Sequence, residues 1–363
     1  LIPLLYKYSD NTDEIVLDYE EKVKSNSKNI SWLMDLGNLI SGKVLKGETD
    51  EAIRYIKDNY ILAEKLLEQR KDIATQMLFS WGDIVIKFGN GIENLMLGLD
   101  LFDMSLTFID KRRQVYHQEE RASLAEIYDK ILREYLCFAG VFYSAKDISK
   151  EIKAELRNRI CKKMALCLPL SVVEQKKYNM EKNISADLEE KHHELQHLKK
   201  EYAIMLKNNS IESVEVNNIA RRIENLSKEL VQCHPYYMPL SNFQGTNWAE
   251  LQSALKSNEI VYQYVLTEMA VVSILVTKEW IDVRSQFFSP DGDTPYSGME
   301  KYGHIVEESD VGDNELDSCS AIISEVVAKH LCEYVFNYDV ERVYIIPDIS
   351  KSVFPFSAVR YDG

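Results

Sequence analysis

Apolar residues recur at helical spacing from about residue 29 to residue 168, and few stretches there show the period of two that marks a strand. The region also matches itself at a spacing of 45 or 46 residues: Leu33, Leu78 and Leu124 correspond, as do Leu36, Trp81 and Ile127, and Ile40, Val85 and Ile131. Those three sets stand at i, i+3 and i+7, so they line one face of a helix. The next helix continues the series with Ala52, Gly98 and Ser144, then Ile56, Phe102 and Ile148. The small residues of the fourth set mark where a neighbouring helix can come close. One helix pair cannot bury its apolar face alone, whereas stacked pairs share a continuous core. The pattern predicts three antiparallel helix pairs forming a short α-solenoid.

Between 181 and 233 the period changes to heptads. Leu188, Leu195 and Tyr202 take one seam position, with Leu198 and Met205 at the other. After the polar turn LKNNS, Val216, Ile223 and Leu230 take one position, and Ile219, Leu226 and Cys233 the other. Two heptad helices joined by a short turn predict an antiparallel coiled-coil hairpin, a brace for the solenoid more than a free arm.

Past Pro235 and Pro239 the pattern changes again. Trp248, Leu251 and Leu255 mark a short helix, with Thr246 or Asn247 as its cap. IVYQYVL (260–266), AVVSILVT (270–277) and IDVRSQFF (281–288) read as strands joined by hairpins into an antiparallel meander. The acidic, Gly- and Asp-rich stretch 289–316 reads as a surface loop. A helix follows with Ile322, Ile323, Val326, Val327, His330 and Leu331 on one side, His330 reading as a half-buried helix residue. It feeds the run Val343 to Ile346, which predicts a strand buried on both faces and stopped by Pro347-Asp348. Phe354-Pro355-Phe356 forms a second apolar knot. A strand that ends in a tight loop lies where α/β folds place their chemistry, at the carboxyl edge of the sheet.

Composition narrows the reading. At 363 residues two or three domains are expected, and 45% hydrophobic with 28% charged residues describes a globular chain. The formal net charge of −15 repels phosphates and argues against direct nucleic-acid binding. LIPLLYKYSD is too short an apolar run for a signal peptide or a membrane span, and a chain opening on Leu1 suggests a trimmed or excised sequence. The six cysteines, Cys137, Cys161, Cys167, Cys233, Cys319 and Cys332, form no C-x-x-C pair and read as reduced thiols of a cytoplasmic protein. His193, Glu194 and His197 spell H-E-x-x-H, in which two imidazoles one turn apart bind zinc and the glutamate activates water. The heptad register turns both imidazoles outward, which favours a solvated helix face and no metal site.

Two resemblances follow. Leu33-x-x-Leu36-Gly37-x-x-Ile40 with GETDEAIRYIKDNYILAEKL, and Trp81-Gly82 with GLDLFDMSLTFID, resemble tetratricopeptide (TPR) repeats, although that repeat has a length of about 34 residues. Tyr262 to Leu266, Pro347-Asp348 and Phe354-Pro355-Phe356, behind such repeats, resemble the CHAT domains, caspase- and separase-like cysteine proteases. The resemblance implies a mostly α chain. It has a TPR-like solenoid over 1–180, a helical hairpin over 181–235 and an incomplete α/β caspase-like domain over 246–363. The family's dyad is a histidine acting as base and a cysteine acting as nucleophile, each at the end of a later strand. None of the seven histidines or six cysteines lies beyond the Phe354-Pro355-Phe356 knot, so the dyad is expected after Gly363, and this chain alone should be inactive. Catalytic, cofactor and metal residues are therefore expected to be none in this chain. Arg360 near the end makes self-cleavage conceivable. The partners implied are a protein substrate, a protein activator bound by the repeats, the remaining half of the protease and, in relatives acting in bacterial antiviral defence and cell death, an RNA-guided effector complex. The competing expectation is a non-catalytic TPR-like interaction scaffold.

Overall fold

The computed structural model describes residues 12–68, 70–113, 118–167, 186–208, 214–233, 248–267, 269–287, 328–346 and 348. Within them the chain is mostly helical, with one four-stranded mixed sheet. It divides into two compact units: Leu1–Ile131 with Ala186–Pro239, and Leu132–Ser185 with Leu240–Gly363.

The first unit is built from α1 (Thr12–Ser25), α2 (Ile30–Leu45), α3 (Thr49–Leu67), α4 (Lys71–Phe88), α5 (Ile92–Arg113), the start of α6 (Gln118–Tyr143), and the pair α8 (Ala186–Asn208) and α9 (Val214–Cys233). From α1 to α5 each helix packs on the next, and α8 packs on α9. Asn29 starts α2 because its side chain accepts the Trp32 N–H at 3.0 Å, satisfying an otherwise orphaned donor. Gly47 turns the chain into α3 with φ of 76°, a conformation in which a side chain would be strained. Leu33, Leu36 and Ile40 of α2 and Leu78, Trp81 and Val85 of α4 share one core with Ala52 and Ile56 of α3. The fourth set's close approach lies between α4 and α5: a Cβ on Gly98 would stand 3.0 Å from the Gly82 carbonyl oxygen.

The third copy of the repeat departs from the other two. Leu124 and Ile131 are buried, but Ile127 is 42% exposed. The helix carrying them, α6, runs 26 residues, against 16 and 18 for α2 and α4. Ser144 and Ile148, expected on the partner helix, therefore fall in the connection before α7 (Lys150–Met164).

One charged cluster joins three helices of this unit. The buried Lys43 of α2 reaches Glu20 of α1 at 2.6 Å, Glu48 before α3 at 2.6 Å and Glu51 in the first turn of α3 at 2.9 Å. Burial pulls its pKa down, but the hydrogen bonds to the three carboxylates outweigh this and hold it above the ordinary lysine range.

The second unit holds the sheet, in the order β3-β2-β1-β4. The strands are β1 (Glu259–Leu266), β2 (Ala270–Val276), β3 (Ile281–Phe287) and β4 (Arg342–Ile346), with α10 (Trp248–Ala254) before β1 and α11 (Lys329–Asn337) before β4. β1–β2 and β2–β3 are antiparallel, as the meander predicts, while β4 runs parallel to β1 with Ile260 opposite Val343. Every residue of β1 and β2 is buried, the signature of strands covered on both faces. Leu331 of α11 packs with Tyr262, Tyr264 and Val271 on one face. On the other, Gln263 donates to the Met164 carbonyl at 2.9 Å, Arg157 of α7 donates to the Ile281 carbonyl, and Gly140 of α6 lies against Val272 and Ser285.

The expectation for Val343 to Ile346 needs correction. β4 is the outer strand of the sheet among the described residues, and it is half-exposed, with Tyr344 at 42%. Val343 and Ile345 pack toward α11, while the Tyr344 hydroxyl accepts from Arg342 at 3.2 Å. A tyrosine in the middle of an apolar run tolerates water through that hydroxyl, so the strand alternates between exposed and half-buried positions up to Ile345. Of the helix expected over 322–331, only its end falls on described residues; the knot at 354–356 lies outside them.

Candidate functional site

The parallel pair β1–β4 has its carboxyl ends at Leu266 and Ile346, and the chain there is tied by one aspartate. Asp348 accepts from Arg133 of α6 through both oxygens, at 2.6 and 2.8 Å, and from the Leu266 N–H at 2.9 Å. Arg133 also donates to the Leu266 carbonyl. The bidentate fork fixes orientation as well as distance, and both side chains are withdrawn from water, at 11% and 4% exposure. Burial pushes the neighbouring Tyr264 hydroxyl above its ordinary range, and the Asp348 charge adds to this. The aspartate of the predicted Pro347-Asp348 stop thus stands at the sheet's carboxyl edge, accepting from Arg133 and from the Leu266 N–H. It can position the chain that follows β4.

A second polar group is buried under α11. His330 is 5% exposed; its Nδ1 lies 2.7 Å from Ser273 Oγ of β2 and its Nε2 3.2 Å from Asp282 Oδ2 of β3. Ser273 also bonds to the Tyr262 hydroxyl of β1. Asp282 pairs with Arg284, which pairs with Glu333 of α11. Burial alone would raise the Asp282 carboxyl, but His330 and Arg284 hold it below the usual carboxylate range. Hydroxyl, imidazole and carboxylate in a row is the order of a serine hydrolase. Ser273, however, is 3% exposed on an interior strand beneath α11. The group therefore serves packing, not nucleophilic chemistry. The sequence signal for it was Ser273 standing alone among the apolar residues of AVVSILV; Arg133 and Asp282 carried no local signal at all.

The remaining candidates are dispersed. Leu195 and Leu198 are buried at 2% each, while His193, Glu194 and His197 are exposed, with Arg222 3.4 Å from Glu194. No group of three or more His, Cys, Asp or Glu that could hold a metal ion occurs among the described residues. Cys137 is buried; burial pushes the Cys161 thiol up to about 11 and raises Cys332 as well, so neither is a thiolate near neutrality. Cys319 and Arg360 lie outside the described residues. Among the described residues no helix is long and apolar enough to cross a membrane.

Comparison of the chain with protein-family models, with curated proteins and with solved structures gave no match.

Proposed function

We propose that this chain is the regulatory and front portion of a CHAT-type cysteine endopeptidase. Its helical repeats receive a protein activator, and its histidine and cysteine are supplied by residues following Gly363. The observation that supports the reading most is topological: an antiparallel meander, then a helix, then a strand parallel to β1 whose following aspartate is locked at the carboxyl edge. Parallel strands need such a crossover, and α/β enzymes place their chemistry at that edge. In this reading the half-exposed edge of β4 receives a further strand of the same protease. Regulation by an RNA-guided effector and a role in antiviral defence are the finer form of the proposal.

The test is the reading frame that carries this sequence. A histidine and a later cysteine at strand ends after the Phe354-Pro355-Phe356 knot, with proteolysis of an unfolded protein substrate abolished by Cys→Ala, uphold it. A frame without them, or proteolysis that survives the change, refutes it. The second reading, a non-catalytic interaction scaffold, is favoured by the stacked helices α1 to α5, of which α2 to α5 share one core. The same experiment separates the two.

A further inference from the structure

The connection between α4 and α5 carries the only Asn-Gly pair of the sequence, Asn90-Gly91. Both residues are exposed. Gly91 has φ of 85°, and a Cβ built on it would meet no heavy atom within 4 Å beyond its chain neighbours. The backbone there is open on the side where other residues carry a side chain. Among the described residues, neither the Gly91 N–H nor the Asn90 side-chain amide makes a hydrogen bond. The Asn90 main-chain carbonyl does, accepting from Asn94 of α5 at 2.8 Å. Position 90 thus offers an amide carbon, an unengaged backbone nitrogen one residue on, and no side chain to keep them apart.

Those are the requirements for attack of the nitrogen on the side chain. The Gly91 nitrogen gives its proton to hydroxide and bonds to Asn90 Cγ. The Cγ–Nδ2 bond breaks and Nδ2 leaves as ammonia, which closes a cyclic imide. Water then opens the imide at either carbonyl. Opening at Cγ gives aspartate; opening at the main-chain carbonyl gives isoaspartate, whose chain runs through Cβ. Either way an amide and a water become a carboxylic acid and ammonia, with no oxidation or reduction. Asn59, Asn94 and Asn225 are poorer candidates, since each lies inside a helix. There the next N–H is drawn into the helical ladder and belongs to a bulkier residue, Tyr60, Leu95 or Leu226.

We propose that Asn90-Gly91 is a self-modifying site, which converts without an enzyme to aspartate and isoaspartate, and that the isoaspartate form loosens α5 from α4. This inference is independent of the protease reading.

The two products act differently on the fold. Phe88 ends α4 and Ile92 starts α5, so the connection is short. It is also tight at Gly89, where a Cβ would stand 2.4 Å from the Val85 carbonyl oxygen and 2.8 Å from Asn94 Cβ. Isoaspartate puts an extra methylene into this span and displaces the carbonyl that Asn94 holds. The disturbance starts in the turn before Gly98, whose close approach to Gly82 leaves no slack in the packing. Aspartate keeps the ordinary backbone and sets a negative charge before the N-terminus of α5, where the helix dipole favours it.

Incubating the whole chain in mildly alkaline buffer, followed by digestion and mass spectrometry, reads the conversion directly. The peptide holding Asn90 should gain the mass of an amide turned to an acid before any other asparagine peptide does. Protein-isoaspartate methyltransferase with labelled S-adenosylmethionine should label the same peptide. Asn90→Gln should abolish both signals. In amide exchange, converted chains should lose protection over 92–99, whereas Asn90→Asp, with the same charge on an ordinary backbone, should keep it. The urea-unfolded chain serves as the clock for the same chemistry without the turn. An Asn90 that stays unconverted while the unfolded chain converts it, another asparagine converting first, labelling that persists in Asn90→Gln, or isoaspartate chains as protected over 92–99 as Asn90→Asp would each overturn the proposal.

Discussion

Replacing Arg133 with methionine keeps the length of the side chain while removing its charge and its donors. Asp348, 4% exposed, is left in place with the Leu266 N–H as its remaining bond of the clamp. Breaking a buried ion pair by removing one partner costs about 3–5 kcal/mol, because the other charge stays desolvated. The lost donor to the Leu266 carbonyl adds about 1 kcal/mol. The chain has two compact units, so one global unfolding energy is poorly defined, and a local measurement is the right one. Amide exchange over 259–266 and 342–346 should rise by roughly a thousandfold or more, at 1.36 kcal/mol per factor of ten. Peptides from α2 to α5 serve as the unaffected control. Asp348→Asn should be similarly harmful, since it strands the Arg133 charge. The double variant should be less harmful than the two effects added, because neither charge remains. Additive effects, or a change under about threefold in Arg133→Met against that roughly thousandfold scale, would refute the claim that the clamp holds this edge.

Lys43→Gln takes the cation from among Glu20, Glu48 and Glu51, and should destabilise the helical unit by about 1–3 kcal/mol, discounted because the carboxylates are partly wet; a thermal melt by circular dichroism checks it, and added salt should restore part of the loss. Glu20 is held below its ordinary range by its bond to Lys43, so its contribution is present above the ordinary carboxylate value and lost as pH falls through the depressed one. An acid titration of helicity should therefore show a loss in the wild type that is weaker in Lys43→Gln. Gly82→Ala places a Cβ 2.7 Å from the Phe102 ring and 2.9 Å from the Gly98 carbonyl, and should cost about 1–3 kcal/mol despite alanine's better helix propensity, read from the same melt. His193→Ala with His197→Ala should change stability by no more than about 0.5 kcal/mol, as for exposed helix positions.

What the sequence disclosed was local periodicity. The three meander strands lie within a residue of the runs IVYQYVL, AVVSILVT and IDVRSQFF, because a short apolar run between turns leaves the backbone few options. Leu195 and Leu198 fell in the buried seam for the same reason. Long-range partners stayed hidden. Nothing near Arg133 announces Asp348, and nothing near His330 announces Ser273 or Asp282, since side-chain pairing across a fold leaves no period in the chain. The third repeat misled through length: α6 carries on past the place where its copies turn, and no glycine or proline stands there to stop it.

The clamp at the carboxyl edge also bears on how the protein is made. Arg133 and Asp348 stand 215 positions apart, and Leu266 and Asp348 stand 82 apart. Contacts at such separation form late, since chain closure is unfavourable until they reward it. On a ribosome the meander can assemble as soon as it emerges, while the Arg133–Asp348 pair must wait for the segment after β4. The second unit is also written in two pieces, interrupted by the α8–α9 hairpin that belongs to the first. The first unit is therefore complete only at Pro239, after the opening piece of the second has already been synthesised. The sheet should be the last part to mature and the part most dependent on chaperones while it waits.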